Sequence, residues 1–283
     1  MLVIEMAIKE DFIRYDSMEK VIVITGASSG FGKAAAEMLS QRGYRVYGLA
    51  RRPMEHKKII YYSVDVCDSE KVRAVIEEIY ARSGRIDVLV NNAGMGIGGA
   101  IEMMTPEEIS VQMNTNFGGC VNLCQAVLPY MRRQRSGRII NISSIGGVMG
   151  LPYQGYYSAS KFAIEGFSEA LSAEVKRWGI QLTIIEPGDF STGFTGNRRN
   201  SAKTLADEDY GSIFQNTLSL IENEEQHAAG ADRVAKKIVH VATCRRPRMR
   251  YVVATFEQRL SVVLKHIIPG NWFVNILRIY YKS

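Results

Sequence analysis

Residues Val21 to Ile24 form an unbroken β-branched run, and the turn Thr25-Gly26-Ala27-Ser28-Ser29-Gly30-Phe31-Gly32 follows at once. Four such residues without polar alternation mark a strand buried on both faces, as in parallel sheets covered by helices on each side. A glycine-rich turn from such a strand into a helical stretch, here Lys33 to Arg42, lets the backbone approach an anion at the N–H groups of the helix start. This junction limits the possible folds more than any other segment. Its spacing is G-x-x-x-G-x-G. A P-loop does not fit, because its first glycine would fall on Ala27 and its closing serine or threonine on Ala34. A glycine-rich turn without a ligand is the plain alternative, and the turn taken alone leaves it open.

The alternation continues along the chain. Arg45 to Leu49 and Ile59 to Val64 read as strands. Val72, Val75, Ile76 and Ile79 share one helical face, with Ser69 as the expected N-cap. Ile86 to Val90 is a strand running into Asn91-Asn92-Ala93-Gly94. A helix is expected over Asn116 to Arg133, a strand over Arg138 to Ile142, a helix over Tyr157 to Trp178, and a strand over Ile180 to Ile185, stopped by Pro187-Gly188. This pattern predicts an α/β fold. We expect one doubly wound, Rossmann-type domain over 18–283, with a seven-stranded parallel sheet and helices on both faces. Residues 1–17 are set aside as an extension, since Met18 stands just before the first strong strand. The polar stretch from Thr192 to Asp209 breaks the alternation. It predicts a lid, about 190–225, over the carboxyl ends of the strands, where ligands bind in such sheets.

Composition narrows the function classes. With 46% hydrophobic and 23% charged residues the chain is an ordinary globule, which excludes disorder and coiled coil. Thirty-five basic against 29 acidic side chains leave a net charge of +6. That suits an anionic ligand, and with one arginine cluster (Arg245 to Arg250) it is too little to indicate nucleic acid. The four cysteines, Cys67, Cys120, Cys124 and Cys244, are too scattered for a disulfide framework and predict reduced thiols in a cytoplasmic protein. Cys120 and Cys124, one helical turn apart, read as small core residues, and no metal site is expected.

The second strand selects among dinucleotides. An acid at its end would accept the ribose hydroxyls of NAD. The chain has Ala50-Arg51-Arg52 there, and two guanidiniums suit a 2′-phosphate, so NADP(H) is expected. Asp65, with Val66 beside it, is placed to meet the adenine. Further on, Tyr157-Ser158-Ala159-Ser160-Lys161 sets a tyrosine and a lysine four apart, on one helix face. A neighbouring ammonium lowers a phenol's pKa, so Tyr157 is expected to exchange a proton with a substrate oxygen near neutral pH. Tyr153 and Tyr156 lack a lysine four residues on.

Taken in order, the TGxxxGxG turn, NNAG, Asn116, the serines, YxxxK and Pro187-Gly188 resemble the short-chain dehydrogenase/reductase family, from about Val21 to Thr192. The resemblance implies that Tyr157 is the general acid/base, that Lys161 activates it and bonds the nicotinamide ribose, and that Ser144, thirteen residues before the tyrosine, holds the substrate carbonyl, with Ser143 as rival. It implies that Asn116 holds a relay water. It assigns Gly26, Ser28, Ser29, Gly30, Phe31 and Gly32 to the cofactor turn, Asn92, Ala93 and Gly94 to the adenosine border, and Pro187, Gly188 and Thr192 to the carboxamide end. Family members commonly dimerise through the helices near Asn116 and Tyr157, so a homodimer or homotetramer is expected.

Met95, Val148, Met149, Leu151, Tyr153, Phe190 and Phe194 are expected to rim a pocket for a hydrophobic carbonyl or alcohol. Ser144 to Pro152 look most like the hydroxysteroid and retinol dehydrogenase branch. The apolar tail, about 257–283, is broken by Pro269-Gly270. It fits either a cap packed on protein, the favoured reading, or a peripheral membrane contact. Two functions are open at this point: an oxidoreductase, favoured because Tyr157, Lys161, Ser144 and Asn116 are all present, and a non-catalytic dinucleotide sensor on the same fold.

Overall fold

The computed structural model describes residues 20–282, less the side chains of Phe194 and Thr195. The expectations for the segment before Lys20, and for the Phe194 side chain, fall outside the described residues. In chain order the elements begin β1 (Val21–Thr25), α1 (Gly30–Gln41), β2 (Arg45–Ala50), β3 (Ile59–Ser63), α2 (Ser69–Ser83) and β4 (Val88–Asn91). Next come the short β5 (Ile97–Gly98), α3 (Pro106–Met113), α4 (Gly119–Gln134), β6 (Gly137–Ile142), α5 (Gly155–Val175) and β7 (Ile180–Pro187). The chain closes with α6 (Gly193–Asn197), β8 (Arg199–Asn200), α7 (Ala202–Ala206), α8 (Gly211–His227), α9 (Asp232–Thr243), β9 (Arg250–Val253), α10 (Phe256–Ile267) and α11 (Gly270–Tyr281).

Seven strands form one parallel sheet in the order β3-β2-β1-β4-β6-β7-β9. Every residue of β1 is buried. Strand residues alternate sides, so Val21 and Val23 pack with Val72, Ile76, Leu123 and Val127 of α2 and α4. Ile22 and Ile24 pack the other way, against Ala35 and Leu39 of α1 and Val234 and Ile238 of α9. The fold is the expected Rossmann-type sandwich. Cys120 and Cys124 are core residues.

The strand order reverses between β1 and β4, and a crevice opens there at the carboxyl ends, where doubly wound sheets bind ligands. Thr25 and Asn92 hold its floor together. The Thr25 hydroxyl accepts from the Asn92 and Ala93 N–H groups at 2.9 and 3.0 Å, and the Asn92 amide donates to Thr25 O at 3.0 Å.

Some local expectations change. Asp68, not Ser69, caps α2: its carboxylate accepts from Lys71 N at 3.0 Å, and Ser69 is the first helical residue. The helix expected from Asn116 begins with a π-turn over Asn114–Gly118 and continues as α4. Single π-turns of this kind recur at functional sites.

Candidate active site

The glycine turn works by close approach. Gly26 and Gly30 sit in the left-handed region, at φ +64° and +53°, where a side chain would be strained. A Cβ on Gly32 would stand 2.5 Å from Gly26 O, so Gly32 seats α1 on the turn and does not itself line the cleft. Ser29 precedes α1 without capping it through its side chain, and no acid occupies the first turn. The N–H groups there are available to a pyrophosphate. Gly26, Ser28, Ser29, Gly30 and Phe31 line a cleft of about 680 Å³. Thr192 lies over Gly30, and Phe31 meets Phe190 edge to face at 5.6 Å.

The cleft runs past the ends of β2 and β3. Arg51 and Arg52 are exposed along it and have no carboxylate partner among the described residues. Asp65 and Val66 follow, and the Asp65 carboxylate accepts from Cys67 N at 2.9 Å. Asn92, Ala93 and Gly94 follow at the end of β4, and Pro187 and Gly188 line the cleft at the end of β7. A dinucleotide fits these residues: a bare helix start for the pyrophosphate, two free guanidiniums and a floor without side chains at Gly26 and Gly94.

At the inner end, Ser144, Tyr157 and Lys161 meet. Tyr157 is half-buried, and desolvation pushes its phenol up to about 12; the hydrogen bond with Ser144 lowers it and the Asp189 charge raises it. The sequence expectation was a phenol lowered by Lys161. Desolvation dominates instead, with the Lys161 Nζ 5.8 Å from the ring centre and engaged elsewhere. Lys161 is itself buried and donates to Ile142 O at 2.9 Å; desolvation pulls it down to about 8.

Ser144 Oγ also accepts from Gly146 N at 3.0 Å. Ser143, the rival, also lines the cleft, and its hydroxyl lies by Gly147 and the Glu165 carboxyl, which it lowers against the raising effect of burial. Asn116 does not line the cleft. Its amide donates to Met95 O (3.0 Å) and Ser160 Oγ (2.9 Å), and its oxygen accepts from Met95 N (2.8 Å). The side chain thus splints the Met95 loop to α5, with both amide protons committed. A Cβ placed on Gly94 would lie 3.3 Å from Asn116 Oδ1 and 3.6 Å from Lys161 Nζ, so the bare glycine leaves a gap between these two groups.

The expected apolar rim is partly different. Met95, Leu151 and Phe190 line the cleft. Met149 is buried beneath it with Ile145, Ala254 and Phe273, and Val148 lies outside the lining. Tyr153 lies outside the lining: its ring meets Phe214 of α8 at 5.2 Å, tilted by 33°, and Gly99 N donates to its carbonyl.

Sequence reasoning missed an acidic wall. Asp189 follows Gly188 into the cleft, and Ile221, Glu224 and Glu225 present one face of α8 there at i, i+3, i+4. Asp189 is pushed up to about 6 by burial and by the Glu225 and Glu224 charges, although Arg198 opposes this. Glu225 pairs with Arg198, both buried, and Glu224 accepts from the Tyr280 hydroxyl. Tyr281, from the tail, also lines the cleft. The segment around β8 and α7 is tied to the rest of the domain by pairing of β5 with β8 and by Ala100 N donating to Thr204 Oγ1 at 3.1 Å. The acidic spacing on α8 was visible in the sequence, but nothing local aimed it at Tyr157.

Comparison with known proteins agrees with this geometry. Residues 20–203 match the family model described as short chain dehydrogenase. The chain is 52% identical over 263 residues to a 3-ketodihydrosphingosine reductase of Bacteroides thetaiotaomicron, covering 93% of this chain and 98% of the relative. It is 31% identical over 275 residues to an NADPH-dependent 3-dehydrocapnine reductase of Ornithobacterium rhinotracheale, covering 92% and 96%. A short-chain dehydrogenase crystal structure from Streptomyces avermitilis superposes with a TM-score of 0.78 at 33% identity, over 89% of this chain and 93% of that one. With a bare phosphate-binding turn, a Tyr157–Ser144–Lys161 cluster and these relatives, the chain belongs to the short-chain dehydrogenase family of nicotinamide-dependent oxidoreductases.

Proposed function

We propose that this protein is an NADPH-dependent reductase of a hydrophobic ketone, and that the ketone is a long-chain amino ketone of the 3-ketodihydrosphingosine type. The observation that carries the reading is the meeting of Tyr157, Ser144 and Lys161 at the inner end of a cleft with apolar and acidic walls. A phenol near 12 is protonated at neutral pH, so Tyr157 acts as the proton donor to a ketone oxygen. Ser144, bonded to Tyr157, offers the second hydroxyl to that oxygen as its negative charge grows. Lys161, near 8, is mostly ammonium at pH 7 and steadies the phenolate left by proton transfer. Asn116 holds the loop and helix that carry these groups in register. A bound nicotinamide dinucleotide supplies the hydride.

Arg51 and Arg52 favour the phosphorylated form of the cofactor, in keeping with the relative that is NADPH-dependent by name. The substrate class rests on the relative of 52% identity, and two features of the cleft support it. Asp189 and Glu224 suit an ammonium beside the ketone, and Leu151, Ile221 and Tyr281 suit an alkyl chain. Assembly as a homodimer or homotetramer through α4 and α5 belongs to the same proposal. The test is NADPH consumption by the purified protein with 3-ketodihydrosphingosine, a ketosteroid and a small neutral ketone, repeated with NADH. Turnover should be highest with the amino ketone and NADPH. Turnover confined to the ketosteroid, or a preference for NADH, overturns the reading.

A further inference from the structure

Helices α10 and α11 carry apolar side chains on two sides. Inward, Phe273 and Leu277 of α11 and Val262 of α10 join a cluster with Ile145 and Met149 under the active-site loop. Outward, Phe256, Leu260, Val263 and Ile267 of α10 follow steps of four, three and four, and Trp272, Ile276 and Ile279 of α11 follow steps of four and three. These spacings each draw one stripe on a helix. Phe256, Ile267, Trp272 and Ile279 are 76, 70, 68 and 71% exposed. Nine of the fifteen exposed large hydrophobic side chains among the described residues fall within this tail, a concentration that marks an interaction surface.

The charge of the tail identifies the occupant. Arg259, Arg278 and Lys282 are exposed on these helices, and Lys265 lies over the Phe273 ring on the inner side, against a single carboxylate, Glu257. Basic residues flanking an aliphatic face that includes a tryptophan are the pattern of a helix lying in an anionic membrane surface. Each helix has 12 residues, about 18 Å at the usual rise and short of a bilayer's hydrocarbon core. No helix among the described residues is long and apolar enough to cross a membrane. The surface adjoins the cleft, because Tyr281 at the end of α11 lines it and Tyr280 bonds Glu224 on the cleft wall.

We propose that α10 and α11 dock the protein on an anionic lipid bilayer, so that a long-chain substrate enters the cleft from the membrane. The substrate half of this inference rests on the proposed function; the docking half does not. The experiment floats the full-length protein on phosphatidylcholine vesicles with and without phosphatidylglycerol, and follows tryptophan emission. The wild type should float with the anionic vesicles, shift its emission to the blue and come off at high salt. The variant Trp272→Gln/Ile276→Gln/Ile279→Gln should lose roughly tenfold or more in partitioning, while its turnover of a water-soluble ketone without vesicles stays unchanged. Arg259→Glu/Arg278→Glu should lose the preference for phosphatidylglycerol. Absence of wild-type flotation overturns the proposal. So does a triple variant that keeps flotation, or one that changes only particle mass in light scattering, which would make the surface an interface between copies. Flotation without turnover of the long-chain ketone overturns the function and leaves the docking standing.

Discussion

Arg250, on the last strand, is ringed by three carboxylates: Glu165 at 3.1 Å, Glu169 at 2.6 Å and Glu186 at 3.2 Å. Glu165 and Glu169 belong to α5 and Glu186 to β7, so one guanidinium ties the helix carrying Tyr157 to the strand leading into the tail. Glu186 is almost fully buried; desolvation first and the Glu165 charge second push its carboxyl up to about 7, with Arg250 and His266 opposing. Against an ordinary value of 4.5 this is about 2.5 pH units, or about 3 kcal/mol at 1.36 kcal/mol each. The folded state binds this proton more tightly than the unfolded one. Its contribution to stability is therefore full below about 4.5 and is lost as pH rises through about 7. Arg250→Met removes the cation and leaves buried carboxylates uncompensated, a loss of about 3–5 kcal/mol for buried pairs. At pH 5 Glu186 is already protonated, so the same substitution should cost much less there. Urea denaturation of both proteins at pH 5 and pH 8, at one protein concentration, reads the difference. An equal loss at both pH values would show that Arg250 acts through the packing of its stem, and a larger loss at pH 5 would reverse the electrostatic argument.

Tyr157→Phe should lower kcat by about 10²–10⁴-fold, the usual worth of a positioned acid, and leave the NADPH dissociation constant within a few fold; kcat above a tenth of wild type would assign the proton to another group. Arg51→Asp should weaken NADPH and improve NADH, read as dissociation constants for both. Gly94→Ala places a methyl between Asn116 Oδ1 and Lys161 Nζ, so kcat should fall about tenfold or more while the melting temperature barely moves. Asp189→Asn should raise KM for an amino ketone by about tenfold, worth about 1.4 kcal/mol, and leave KM for a neutral ketone unchanged.

What was legible in the sequence shares a physical character. The buried run Val21–Ile24, the turn glycines and the Tyr157–Lys161 spacing each state their structure within a few residues. The strand period, positive φ and the helical turn are local rules. Asn116 could be singled out, yet its actual contacts could not. They are made with Met95, 21 residues away, and Ser160, 44 residues away, across a π-turn that no 3.6-residue pattern announces. The cap expected at Ser69 falls one residue earlier, on Asp68, whose extended backbone lets its carboxylate reach Lys71 N.

The pKa values show the same division more sharply. A lysine four residues after a tyrosine argues for a lowered phenol if only the pair is considered. In the fold Lys161 is buried and Tyr157 half-buried, and desolvation raises the phenol and lowers the ammonium. The two shifts bring neutral phenol and ammonium to hold their protons together at neutral pH, with the lysine the weaker holder. A phenol that holds its proton suits the donor role in the proposed reduction, whereas a lowered phenol would suit a base. The residues that line the cleft with Tyr157 include Ile221 and Glu225 of α8 and Tyr281 of the tail, all more than 60 positions down the chain. The acidic wall and the two-sided tail come from those same distant segments. The acidic wall and the apolar tail surface therefore sit where sequence pattern alone says least, while the glycine turn and the Tyr157–Lys161 spacing sit in local motifs.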